Sequence, residues 1–463
     1  MRYPLLGLLL FAVYAATAGF ATSPESHYGE SEAHHLLSAE SLVTDGDLDL
    51  SDEYSSVAVR ESFPRDLRPN GRLTSRGLLE PYGPGFSAVI APAYALAGAR
   101  GAALLCAALA ALAFVLALAL ARRVVPEPWA TRGVLLVALS PPALAHSTSV
   151  DPGWAVSALL GIAILLTASA REEARLPVVT GAAAALAILP WIDATAAPAG
   201  LPVAVLLVHW TLRQHRRLAA LIGLEVLSSS LIAYTSLSEY LYGGLTPLVA
   251  ALPGEAAVGA DSALGYLARA PRLASLWLDR DFGLIRWAPV LALAVHGIWL
   301  LWRSRRDLIA RALPGRREGE AVAGLVTAAG GTLVLVAAFA AVDVSGDSFP
   351  GRWLLPGLPL GAVLVAWSLR HLPRTGVALG LLTMLGSAWL CVELASGAVG
   401  GWAAARGSRA PWGPLEAVLP AWGTGSAWAD AVAVGLVVAL SGLLITEWRA
   451  QRHRRTAGAR SRV

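Results

Sequence analysis

The sequence is short of charge. Only 15% of its 463 residues are Asp, Glu, Lys or Arg, against 56% hydrophobic, whereas soluble domains carry about a quarter charged residues. That balance excludes a soluble globular protein and points to an integral membrane protein. Lysine is absent, so all 36 basic residues are arginine. A net charge of +4 could suggest a nucleic-acid partner, but the arginines lie between apolar runs, where membrane topology places them, and no nucleic acid is expected. Cysteine is nearly absent. Cys106 and Cys391 both fall inside apolar runs, which removes a disulfide framework and a thiolate metal site. No sequence repeat and no low-complexity stretch stands out. The chain therefore reads as one membrane domain over residues 1–448. A basic tail follows at 449–463, too short to fold and suited to anionic lipid headgroups.

Apolar segments fit for spanning helices occur at residues 4–21, 101–121, 133–148, 153–170, 177–191, 196–212, 218–237, 287–302, 321–342, 353–369, 375–395 and 431–446. The expected fold class is an all-α polytopic membrane protein with about twelve transmembrane helices, ten to thirteen allowing for short and Pro-broken segments. The first segment resembles a cleavable signal peptide in composition. Its apolar run can span about 27 Å at 1.5 Å per residue, so a retained anchor is expected. Arginine distribution supports the count, because short cytoplasmic loops collect basic residues. Alternate connections carry Arg122, Arg123 and Arg132; Arg171 and Arg175; Arg213, Arg216 and Arg217; Arg303 to Arg317; Arg370 and Arg374; and then the tail. This alternation predicts a multi-pass protein of the plasma (inner) membrane with both termini cytosolic, and residues 22–86 as a long first extracytoplasmic loop.

That loop holds most of the polar chemistry. Residues 31–44 read as a helix with Ala33, Leu36, Leu37 and Val43 near one face, ended by Asp45-Gly46 where a left-handed cap is wanted. A short amphipathic helix on the membrane surface is the plain expectation. Glu32 and His35 share a face away from the apolar stripe, with Glu30 and His34 beside them, so a general base with an orienting partner is available. The other reading is a solvated face. Glu40 falls within the apolar stripe and needs a partner. His27, Glu30, Glu32, His34 and His35 are metal-ligating types, but their spacing matches no HExxH-like pattern. No cofactor is assigned, and a divalent metal is left possible but unsupported. In "DGDLDLSDE" Asp45, Asp47 and Asp49 alternate as in a calcium loop, yet Leu50 stands where an EF-hand needs glycine, and a turn is expected. "DRDFGLIRWAP" and "DVSGDSFPGRWLLP" put arginines beside tryptophan at membrane ends, suited either to gripping a lipid-linked phosphate or to interfacial anchoring. Residues 396–430 space Trp402, Trp412, Trp422 and Trp428 for an aromatic belt or for stacking on sugars. Within the spans Glu225 is the notable charge, with His209 at similar depth, and neither makes a proton path.

"SEAHHLLSAESLVTDGDLDLSDEY" after a first span resembles the first external loop of GT-C-type membrane glycosyltransferases, the clan of protein O-mannosyltransferases and lipid A aminoarabinose transferases. "YGPGFSAVIAPAYAL", "SPPALAHSTSVDPGW", "LSEYLYGGLTP", "LDRDFGLIRWAPV" and "GRWLLPGLPL" are similar to further motifs of bacterial members, in the same order over nearly the whole chain. The resemblance implies a polyprenyl-phosphate-linked sugar donor, a lipid, envelope glycan or protein acceptor, and inverting transfer on the non-cytosolic face. It implies an acidic base in the first loop, donor-phosphate contact by Arg352, and a second contact by Arg280 or Arg286. Two positions depart from the pattern. Ser31-Glu32 replaces the Asp-Glu pair, and Val150-Asp151-Pro152-Gly153 stands where an aromatic-Pro-Glu is usual. Glu32 assisted by His35, Glu30, or Asp151 from the next loop would then supply the base. Alternatively the fold is kept as a lipid-sugar-binding scaffold or, less in keeping with the sequence, as a lipid-linked sugar transporter.

Overall fold

The structure, a computed structural model, describes residues 2–56, 63–64, 67–74, 76–252, 262–304, 314–340, 348–408, 417–422, 427–429 and scattered positions as far as 442. The expected span at 431–446 and the basic tail lie largely or wholly outside these. Regular structure among the described residues is helical, apart from one hairpin and an isolated bridge. Each expected span from 4–21 to 375–395 falls on helix. Six helices are long and apolar enough to cross a membrane, and Tyr3–Thr17, Trp129–Ala138, Leu176–Ile192 and Pro289–Ser304 are shorter apolar helices.

Helix α1 (Tyr3–Thr17) packs against α3 (Pro84–Val124), and α2 (Glu30–Thr44) lies on α3 above it. Element α3 is two helices joined at Ala97 and Gly98. Gly98 has φ +60° and ψ −152°, a conformation open to glycine and strained for any residue with a Cβ. The first loop therefore ends in a helical segment before the span begins. The expected span 133–148 is also two pieces, α4 (Trp129–Ala138) and α5 (Pro141–His146). Pro141 lacks an N–H and drives Ser140 into the extended region (φ −72°, ψ 154°), which breaks the helix. Helix α7 (Leu176–Ile192) packs between α6 (Gly153–Glu172) and α9 (Arg217–Tyr242), and α8 (Leu201–Arg213) lies mainly against α6. The core gathers Leu6, Leu10, Tyr14, Phe86, Phe114, Trp154 and Trp287.

The start and stop of α2 follow its caps. The Glu32 carboxylate accepts from Gly29 N at 2.6 Å, a helix-starting bond, and Gly46 with φ +76° bonds back to Ser41 O at 2.9 Å. The expectation of a surface helix is corrected. Residues 32–39 and Ser41 are buried, and of the apolar stripe only Val43 is exposed. Tyr54, Asn70, Glu80 and Tyr82 return to cover the polar face. The hairpin β1 (Arg72–Thr74) with β2 (Gly77–Leu79) pairs Arg72 with Leu79. Asn70 O accepts from Leu252 N at 3.0 Å, which ties this loop to the segment after α9.

Candidate functional site

Three chain segments meet at Arg352. Gly351, at φ +100°, turns the backbone just before it, and a Cβ there would come within 2.7 Å of Leu284. Only glycine fits that turn, and it delivers Arg352 to the start of a 3₁₀ turn, Arg352–Gly357, leading into α10 (Leu358–His371). Arg352 Nε donates to Asp151 Oδ2 at 2.9 Å and Nη1 donates to Ser31 Oγ at 2.9 Å. Its Nη2 has no hydrogen-bond partner among the described residues. Asp151 is buried and its Oδ1 accepts from Gly153 N at 2.8 Å. Burial is the largest single effect and would raise the Asp151 carboxyl, but the Arg352 guanidinium and the Gly153 N–H together outweigh it, and the net shift is downward. Ser31 and Asp151 are thus bridged by one arginine, a third exposed, whose remaining N–H edge is open.

The sequence-predicted acids divide. Glu32 is 6% exposed and both its oxygens are engaged: Oε2 accepts from Thr22 Oγ1 at 2.8 Å and Gly29 N at 2.6 Å, and Oε1 from Val150 N at 2.9 Å. It fastens the start of α2 to the turn that carries Asp151. Glu30 stays exposed, with the His34 ring nitrogen 4.0 Å away, and that neighbouring imidazole holds its carboxyl below the usual value against a smaller effect of burial. His35 is buried between Tyr82 and Phe86, with ring centroids 4.9 and 5.0 Å away. Burial lowers it to about 3, so it is a neutral imidazole at physiological pH. Its solvated-face alternative is ruled out by that burial.

Behind these residues runs a network the sequence did not disclose. Asn70 Nδ2 donates to His34 Nε2 and to Tyr82 Oη, both at 2.9 Å; His34 Nδ1 meets Tyr54 Oη at 2.5 Å, and Tyr54 donates to Glu80 at 2.6 Å. His34 is thereby fixed next to Glu30.

The other arginines sit apart in role. Arg286 is 2% exposed and donates to Arg280 O at 2.6 Å and Ser408 O at 3.4 Å, with Asp281 at 3.5 Å and its guanidinium over Trp287. It clamps the turn around Asp279. Asp279 itself is buried and accepts from Asp281 N, Phe282 N and Trp422 N, a role the sequence reading missed. The Arg280 side chain keeps 40% of its surface. Trp402 is neither belt nor platform: it is buried against Phe20 and Phe349. Trp412 lies outside the described residues. Glu40 lies beside Tyr94, which provides its partner. Glu225 is exposed and accepts from Ser229. His27, Glu30, Glu32, His34 and His35 do not converge on one ligating point.

The fold is similar to that of the solved membrane protein ArnT. ArnT, the aminoarabinose transferase of Cupriavidus metallidurans, superposes in its apo state with a TM-score of 0.50 at 13% identity, covering 89% of this chain and 75% of ArnT. The same protein bound to undecaprenyl phosphate gives 0.48 at 13% identity, covering 93% and 77%. The archaeal oligosaccharyltransferase AglB of Archaeoglobus fulgidus, in complex with an inhibitory peptide and a dolichol-phosphate, gives 0.43 at 13%, covering 85% and 56%. No protein-family model and no curated protein matches the chain. The chain is a multi-pass membrane protein with the GT-C fold.

Proposed function

We propose that the chain transfers a sugar from a polyprenyl-phosphate donor to an acceptor hydroxyl on the extracytoplasmic face, with inversion. The observation that carries this is Arg352, held between Ser31 and Asp151 with one N–H edge open. Guanidinium binds phosphate oxygens through paired N–H groups, and Asp151 fixes its plane. Arg280, the more exposed of the two remaining candidates, supplies the second phosphate contact; Arg286 holds the Arg280 turn in place.

In the reaction the acceptor oxygen attacks the anomeric carbon opposite the phosphate. The carbon–oxygen bond to phosphate breaks, and the lipid phosphate leaves with the electron pair, stabilised by Arg352. The acceptor proton passes to a carboxylate. Glu30 is the carboxylate with open faces beside Ser31, so we assign the base to Glu30. Glu32, buried and already accepting three hydrogen bonds, positions α2 instead. His35 stays neutral and packs α2 against Tyr82.

A second reading, a GT-C-like protein that binds a lipid-linked sugar without transferring it, is favoured by Ser31: a hydroxyl, not an acid, touches Arg352. Purified Glu30→Gln protein decides between them. The transferase reading expects donor binding at wild-type strength and transfer reduced by about 10²–10⁴-fold, the usual contribution of a general base. Donor bound by wild type with no turnover on any envelope acceptor supports the binding protein. Wild-type transfer by Glu30→Gln removes Glu30 as the base.

A further inference from the structure

The acidic run after α2 contains two kinds of carboxylate. Asp47 Oδ1 accepts from Ser41 Oγ and Asp49 N, each at 3.0 Å. Asp49 Oδ1 accepts from Ser51 Oγ at 2.6 Å, Ser51 N at 3.1 Å and Leu78 N at 2.8 Å. Those two aspartates, the ones that look like a calcium loop in sequence, are spent on the turn and on its join to β2. The other three acids gather elsewhere. One oxygen each from Asp45, Asp52 and Glu53 lies within 4.8 Å of the others.

Glu53 is the unusual member. It is 6% exposed, and among the described residues neither of its carboxylate oxygens has a hydrogen-bond partner. A buried carboxylate without donors is costly, and among the described residues no arginine or histidine forms an ion pair with any of the three. The C-terminal end of α2, at Asp45, adds further negative potential at the same point. Three acidic side chains brought within ligating distance of one another, one of them buried with its carboxyl raised toward neutrality by that burial, form a set that a cation would hold in the ionised state. Oxygen-only ligands select a hard divalent ion, and an irregular set open to water on the Asp45 and Asp52 side suits the flexible coordination of calcium better than the strict octahedron of magnesium.

We propose that Asp45, Asp52 and Glu53 bind one divalent cation of the calcium class, which fastens the end of α2 to the turn that follows. The ion acts at a distance from the Arg352 constellation. Its effect is transmitted through Tyr54, the residue after Glu53, whose hydroxyl contacts His34 on α2 and Glu80. The role is structural: with the ion bound, the cover over the polar face of α2 is closed.

The test uses the full chain in zwitterionic phosphatidylcholine nanodiscs, stripped with EDTA and titrated with calcium chloride, read by calorimetry and by the rate of tryptic cleavage in the first loop. One calcium per chain is expected, with a Kd of about 10⁻⁴–10⁻³ M as for open carboxylate sites, together with calcium-dependent protection from trypsin. Glu53→Gln should lose both responses while resisting trypsin without calcium at least as well as stripped wild type, because a buried amide carries no charge. Asp52→Asn, at an exposed position, should weaken calcium binding about tenfold or more and serves if Glu53→Gln fails to fold. Absence of calcium binding at about 10 mM, well above that range, overturns the proposal. Binding or protection that persists unchanged in these variants overturns it equally.

Discussion

Replacing Glu32 by glutamine separates positioning from proton transfer. The carboxylate accepts three hydrogen bonds, two of them from the backbone N–H groups of Gly29 and Val150. Hydrogen bonds to a charged acceptor contribute about 1.5–3 kcal/mol each. Glutamine keeps one acceptor oxygen and turns an NH2 toward at least one donor, so the loss is about 3 kcal/mol, concentrated where α2 meets the Asp151 turn. The first loop should open about a hundredfold more often, since about 1.4 kcal/mol corresponds to tenfold. Trypsin reads this directly, because Arg68, Arg72 and Arg76 lie in the covering segment and cleavage of a transiently opened loop follows its opening equilibrium. Accelerated cleavage at these sites, with residual transfer falling in proportion to misfolded loop, is the expected outcome. A Glu32→Gln protein as protease-resistant as wild type, yet without transfer, would refute the positioning role and make Glu32 the base.

Three further outcomes follow from the same geometry. Arg352→Ala leaves Asp151 buried and unpaired. In wild type the lowered Asp151 carboxyl contributes stability present above the ordinary carboxylate range and lost only as pH falls through its lowered value; in the variant burial, opposed mainly by the Gly153 N–H, raises that carboxyl, so stability should decline as pH rises above the ordinary carboxylate range, checked by thermal unfolding between pH 4 and 8. Gly351→Ala sets a Cβ 2.7 Å from Leu284 at φ +100°. It should cost about 1–3 kcal/mol and weaken donor binding through Arg352 while leaving helix content, measured by circular dichroism, unchanged. His35, lowered to about 3, binds its proton more readily unfolded than folded below about 6.5, so the first loop should lose stability as pH falls from there. His35→Leu should flatten that slope in protease-resistance measurements.

Local signals carried much of this into the sequence. The C-terminal bound of α2 was legible because Asp45-Gly46 is a local stop, whereas its start rests on the Glu32 side chain reaching back to the Gly29 N–H, a bond without a Ser or Thr cap to announce it. The spans were legible because each is an apolar run almost free of charge, although Pro141 splits the run at 133–148 into two helices. What covers α2 was not legible: Tyr54, Asn70 and Tyr82 approach His34 from 20 to 48 residues downstream, and no local pattern announces that. Arg352, Asp151 and Ser31 were each singled out separately, yet their meeting joins positions 201 and 321 residues apart in the chain. Arg286 shows the opposite limit. Beside tryptophan at a membrane end it resembles a phosphate ligand, and only its carbonyl partners reveal a clamp.

The central claim is that Arg352 presents its open edge to a lipid-linked phosphate. Binding of polyprenyl phosphate to nanodisc-embedded wild type and Arg352→Gln, compared by titration, tests it most directly. The account expects the variant to bind about tenfold to a hundredfold more weakly with its tryptic resistance retained, as suits loss of one charge-assisted contact of about 1.5–3 kcal/mol. Equal affinity in a folded Arg352→Gln protein would contradict it.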